Sequence, residues 1–129
     1  MKKKILVAED DSNIRSGLLD ALEADGHTVV EASDGESAIQ TLLASPFDLA
    51  FIDIRMPGQT GLEVLDQARA MGCATPIVII TAQNTMENAV EAMKMGALDY
   101  LIKPFSLAQV AALARMAARG PAIARSPPG

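Results

Sequence analysis

At 129 residues, half of them apolar, the chain fits one domain able to bury roughly two-thirds of its unfolded surface. Acids outnumber bases 16 to 11, and the net charge of −5 repels a nucleic-acid backbone, so direct DNA binding by this domain is not expected. The single cysteine, Cys73, excludes an internal disulfide and a zinc cluster. No apolar run approaches the ~20 residues of a membrane span, and the stretch after Lys2-Lys3-Lys4 is too short for a signal-peptide core. A cytoplasmic domain without membrane contact is expected. Aromatics make up only 3%, so the core must be aliphatic.

Ile5-Leu6-Val7-Ala8 predicts a first buried strand, ending on Glu9, Asp10 and Asp11. Asp11 or Ser12 caps a helix whose apolar face is Ile14, Leu18, Ala21 and Leu22, closed by Gly26. Thr28 to Ala32 reads as a second strand nearer an edge. A turn at Ser33-Asp34-Gly35 leads to a second helix marked by Ala38, Ile39, Leu42 and Leu43, stopped at Ser45-Pro46. The third strand, Leu49 to Ile52, ends abruptly on Asp53, with Met56-Pro57-Gly58 as the turn. Gly61 opens a third helix carrying Leu62, Leu65 and Ala68 or Arg69, ended by Gly72. Ile77 to Thr81 is the most apolar strand. Helix four is expected from about Thr85 to Met95, with Ala89, Val90 and Met93 inward, ending at Gly96. Tyr100-Leu101-Ile102 predicts a short fifth strand stopped by Lys103-Pro104. A fifth helix starts near Ser106, with Leu107, Val110, Leu113 or Ala114, and Ala117 on its face. From Gly120 periodicity stops, giving an expected division into a domain over 1–119 and a Pro/Ala/Arg-rich linker or tail over 120–129.

Five strands alternating with five helices predict an α/β fold, a (βα)5 doubly wound parallel sheet in order 2-1-3-4-5. Ligand sites in such sheets lie outside the carboxyl ends of the strands. There the first strand offers Glu9, Asp10 and Asp11, the third Asp53, the fourth Thr81 and the fifth Lys103. Two carboxylates 4 Å apart repel by ~4 kcal/mol at an effective dielectric of 20, so such a cluster calls for a cation. An all-oxygen set with few protein ligands suits Mg²⁺, with Mn²⁺ as a substitute. Lys103 would neutralise a phosphoryl oxygen, the Thr81 hydroxyl would donate to another, and Ala82 leaves space for the incoming group. These parts suit phosphoryl transfer, with Asp53 as nucleophile.

Glu9-Asp10-Asp11, Asp53 with Met56-Pro57-Gly58, Thr81-Ala82 and Lys103-Pro104-Phe105 resemble the receiver domain of two-component response regulators, from about Lys4 to Ala118. The run from Thr81 to Phe105 is most similar to receivers of nitrogen-regulation-type transcription activators. The resemblance implies a flavodoxin-like receiver fold and a phosphorylation switch rather than a turnover enzyme. It makes Asp53 the phosphoacceptor, Glu9 and Asp10 the acidic pair for Mg²⁺, and the backbone carbonyl of Arg55 a further ligand. Thr81 and Tyr100 become the switch pair, Lys103 the phosphate-contacting lysine, and Lys103-Pro104 a candidate cis peptide. Implied partners are a sensor histidine kinase, an output module acting in transcription, and a second copy through the helix 4–strand 5–helix 5 face.

Other readings carry their own markers. An aspartate-nucleophile phosphatase needs a second acid two residues after the nucleophile, where this chain has Arg55. An FMN carrier needs a Ser/Thr/Gly-rich first loop, where this chain has three acids. A degenerate receiver acting as a fixed platform would lack part of the residue set. His27 is expected in an exposed loop, Cys73 as a plain thiol, Met86, Met93 and Met95 as packing residues, and Arg115, Arg119 and Arg125 in solvent.

Overall fold

The computed structural model describes residues 2–82 and 86–117. Its elements are β1 (Lys4–Ala8), α1 (Ser12–Ala24), β2 (Thr28–Ala32), α2 (Gly35–Ala44), β3 (Leu49–Asp53), α3 (Gly61–Ala70), β4 (Ile77–Ala82), α4 (Met86–Lys94), β5 (Asp99–Lys103) and α5 (Leu107–Ala117). All strand pairs are parallel and the order is β2-β1-β3-β4-β5, as the alternation of elements predicts. The expected tail over 120–129, Thr85, Arg119 and Arg125 lie outside the described residues.

Side-chain alternation along each strand splits the interior into two layers. Leu6, Ala8, Ala50, Ile52, Ile77 and Ile79 face α2, α3 and α4. Ile5, Val7, Leu49, Phe51, Val78, Ile80 and Leu101 face α1 and α5. β1, β3 and β4 are thus apolar on both faces, which is why they read as continuous apolar runs.

Capping fixes where the helices begin. Asp11 is the N-cap of α1, its side chain accepting from the backbone N–H of Asn13 and Ile14. Asp34 caps α2 in the same way, and Thr60 with Glu63 forms a capping box at α3. Gly26, at φ +89°, follows the Asp25 C-cap of α1. Lys103-Pro104 is cis.

Several expectations are corrected. In α4 the buried residues are Ala89 and Ala92, whereas Val90 and Met93 are 52% and 42% exposed. The helix sits close on β4 and β5 through alanines, leaving its larger residues outside; Met93 is not a packing residue, while half-buried Met95 packs on the core. Val64, unremarked in the sequence, is buried in α3 beside Leu65 and Ala68, and Leu62 is only partly covered. Leu43 and Leu107 are exposed. His27 is not an exposed loop residue but is 6% accessible, because its ring folds under the start of β1. There its Nδ1 accepts from the Lys3 backbone N–H at 3.2 Å, while Thr28 N–H donates to Lys3 O at 2.8 Å. Burial holds the His27 ring below its usual pKa despite the pull of Asp25.

Candidate functional site

At the carboxyl ends of the strands, parity decides which side chains meet. Glu9, Asp53 and Lys103 continue the odd-numbered faces of β1, β3 and β5, the side occupied by Val7, Phe51 and Leu101. Lys103 Nζ donates to Asp53 Oδ2 at 3.0 Å and lies 3.3 Å from Glu9 Oε1. The second distance is an ion-pair contact without hydrogen-bond alignment, since Glu9 Oε1 is buried with no hydrogen-bond partner. The other Glu9 oxygen accepts from the Asp11 N–H at 3.1 Å. Asp53 is 3% exposed, and its Oδ1 accepts from the Arg55 N–H at 3.2 Å.

Asp10 stands just beyond the strand end and is exposed. A carboxylate oxygen from each of Glu9, Asp10 and Asp53 lies within 4.8 Å of the others. Desolvation pushes the Glu9 carboxyl up to about 8, reinforced by the neighbouring Asp53 carboxylate, against the pull of the Asp11 N–H and Lys103. Lys103 is depressed by burial, but the hydrogen bond and charge of Asp53, with Glu9, outweigh that and leave its ammonium raised. Three oxygen ligands, one of them buried without a hydrogen bond, fit a hard divalent cation such as Mg²⁺.

The sequence-predicted residues fall into two groups. Glu9, Asp10, Asp53 and Lys103 form one cluster, with the Arg55 backbone tied to it. The Arg55 side chain is exposed, and a cleft beside Asp10 is lined by Arg55, Met56, Pro57, Thr60 and Asn88. Thr81 and Tyr100 lie on the opposite face of the sheet, the face of Ile77 and Ile79, in adjacent strands where Thr81 registers with Ile102. Thr81 is 1% exposed and its hydroxyl makes a long contact of 3.5 Å to Ala82 O, while Tyr100 is half-buried.

Gly61 and Gly35, expected only as a helix start and a turn residue, also pack closely against the loop after β3, and a third residue, Arg15, had no expected role. A methyl at Gly61 would collide with the Asp53 carbonyl, and one at Gly35 with the carbonyl of Gln59. Gly35 N–H also donates to Pro57 O at 3.1 Å, so the N-terminus of α2 buttresses the loop after Asp53. The third is Arg15 on α1, whose Nη1 donates to Glu9 O at 2.6 Å and whose Nε pairs with Glu31 Oε1 at 3.0 Å. One signal was available for it: a cation so early in a helix opposes the preference of helix N-termini for acids.

A family model described as the response regulator receiver domain matches residues 5–115. The chain belongs to that family. It is 40% identical over 109 residues to the transcriptional regulatory protein QseB of Haemophilus influenzae, an alignment covering 84% of this chain and 49% of QseB. It therefore spans about half the length of that relative. Among solved structures it resembles the receiver domain of the Francisella response regulator 1452, with a TM-score of 0.84, 32% identity, and coverage of 89% of this chain and 95% of that one. The receiver domain of NtrX from Brucella abortus superposes with a TM-score of 0.82 at 32% identity, covering 88% and 96%.

Proposed function

We propose that this receiver is a phosphorylation switch in which Asp53 accepts a phosphoryl group from a histidine kinase. The observation that carries this is the Glu9–Asp53–Lys103 cluster, in which one carboxylate is shared between a lysine and two further acids. In the transfer, an Asp53 oxygen attacks phosphorus, a P–O bond forms, the P–N bond to the donor histidine breaks, and the imidazole leaves with its electron pair. Glu9, Asp10, Asp53 and the Arg55 carbonyl would hold Mg²⁺, which when bound neutralises charge on the phosphoryl oxygens. Lys103, now on Asp53 Oδ2, is in reach to follow that charge onto the phosphoryl group. Thr81, at the rim of the neighbouring strand, would donate to a phosphoryl oxygen, with Tyr100 turning in behind it. The resulting change on α4, β5 and α5 would alter an output contact or a homodimer.

The receiver unit is taken to span residues 1–119, a reading that the family match over 5–115 supports, with 120–129 as a linker or tail. A cytoplasmic setting is proposed by analogy with the response regulators to which the chain is similar; among the described residues no helix is long and apolar enough to cross a membrane. The output is proposed to be transcriptional, as the similarity to the transcriptional regulatory protein QseB suggests. No turnover enzyme is proposed, because the acid an aspartate-nucleophile phosphatase needs is replaced by exposed Arg55.

Incubation with Mg²⁺ and acetyl phosphate, read by intact mass, is the test. The native chain gains one phosphoryl unit and Asp53→Ala gains none; an undiminished gain in Asp53→Ala, or none in the native chain, would sink the assignment. Mg²⁺ at 100 times its dissociation constant should also stabilise the fold by about 2.7 kcal/mol, measured as a shift in urea midpoint.

A further inference from the structure

We propose that Arg15 is a positioning residue for the metal site, a strap that fixes where Asp10 stands without touching any ligand atom. The inference rests on the Mg²⁺ reading above.

Glu9, Asp10 and Asp11 leave β1 as a short turn before α1, and a chain of hydrogen bonds defines that turn. Glu9 N–H donates to Ala32 O at 3.1 Å, anchoring the turn to β2. Glu9 Oε2 accepts from Asp11 N–H, Asp11 Oδ1 accepts from Asn13 and Ile14, and Arg15 N–H donates to Asp11 O at 2.9 Å. Arg15 Nη1 closes the ring on Glu9 O at 2.6 Å. That carbonyl belongs to the Glu9–Asp10 peptide plane, so holding it sets the direction in which Asp10 leaves the backbone. Asp10 itself is exposed, and its Cα is placed by the ring around it.

The guanidinium is committed on both sides. Its side chain is only 20% exposed, and Nε is fixed by Glu31 at the end of β2. A planar fork that spans a carbonyl and a carboxylate suits arginine; a lysine ammonium is a single point charge and reproduces the pair poorly. Charge alone makes the opposite prediction. A cation near an acidic metal site competes with the metal, so removing it should tighten Mg²⁺ binding. The sign of the change therefore separates a strap from a nearby charge.

The experiment compares native protein, Arg15→Gln, Arg15→Lys and Glu31→Gln by calorimetric titration with MgCl₂, and by amide hydrogen exchange without metal. As a strap, Arg15→Gln weakens Mg²⁺ affinity roughly tenfold, in the range found when groups orienting metal ligands are removed. Arg15→Lys falls between it and the native protein, and Glu31→Gln gives a smaller loss. Exchange at the Asp10 and Asp11 amides quickens in Arg15→Gln, while amides of β3 and β4 keep their protection. Unchanged or tighter Mg²⁺ binding in Arg15→Gln, or native affinity in Arg15→Lys, overturns the proposal. If Arg15→Gln does not fold, the Arg15→Lys and Glu31→Gln titrations decide it by the same signs. Should the native chain bind no Mg²⁺, the metal reading falls on its own. The exchange data then judge the strap, with unchanged Asp10 and Asp11 amides counting against it.

Discussion

Glu9 shows how much of a site's behaviour is set by one residue's surroundings. Its folded pKa of about 8 lies far above the ordinary carboxylate range, so the metal-free folded state holds a proton that the unfolded state releases near pH 4.5. The stability this group contributes is therefore fully present below about pH 4.5 and is lost as pH rises towards 8. His27 has the opposite sign: its lowered pKa removes stability as pH falls below 6.5. Subtracting the profile of Glu9→Gln isolates the acid. Urea midpoints in EDTA between pH 5 and 8.5 should show the native chain losing ground to Glu9→Gln as pH rises, and added Mg²⁺ should abolish the loss by taking the proton's place. A parallel pair of profiles would contradict the assignment. Lys103 does not disturb this window, because a raised ammonium stays charged throughout it.

Among the elements, α2 and the loop after β3 act as a unit. Gly35→Ala drives a methyl into the Gln59 carbonyl, an overpacking expected to cost about 1–3 kcal/mol and to shift the segment that carries Arg55. Gly17→Ala is its control, since nothing lies within 4 Å of that position in α1 and alanine favours a helix interior by ~1 kcal/mol. Urea unfolding should therefore move in opposite directions for the two, and only Gly35→Ala should slow phosphorylation by acetyl phosphate.

The same elements show what sequence can reveal. Strand apolarity, an N-cap at Asp11 and the acids and lysine that end β1, β3 and β5 are local patterns. Asp34 reads only as a turn until its side chain is seen capping α2, and the strand parity that sets Thr81 apart shows only in the fold. α4 defeated the apolar pattern because its inner face is alanine: close approach to the sheet decided orientation, whereas hydropathy pointed to Val90 and Met93. His27 defeated it because a loop residue after a helix-ending glycine was drawn under β1 by a backbone donor. Gly35 and Arg15 work through contacts with Gln59 and with the Glu9 carbonyl, and contacts of that kind leave no periodic trace.

At the scale of the whole molecule, the site and much of the packing sit at different poles. Leu22 is fully buried in the last turns of α1, away from the carboxyl ends of the strands. Leu22→Ala should cost about 2–5 kcal/mol of stability and leave Mg²⁺ affinity unchanged at temperatures where the variant is folded. Calorimetric titration beside urea unfolding checks both halves, and a large change in affinity would show the poles to be coupled.

The run of α5 between those poles has a mechanical consequence. The helix starts four residues after Lys103 and ends near Arg115, whose Nη1 meets Oδ2 of Asp25, the C-cap of α1, at 3.6 Å. Eleven residues make a rod of about 16 Å, so a tilt of ~4° at the near end swings the far end by ~1 Å. The far end of α5 is thus the long arm of a lever whose near end begins four residues after Lys103, the lysine on Asp53. In the proposed switch, a charge change at Asp53 would reach the far end of α5 as an angle.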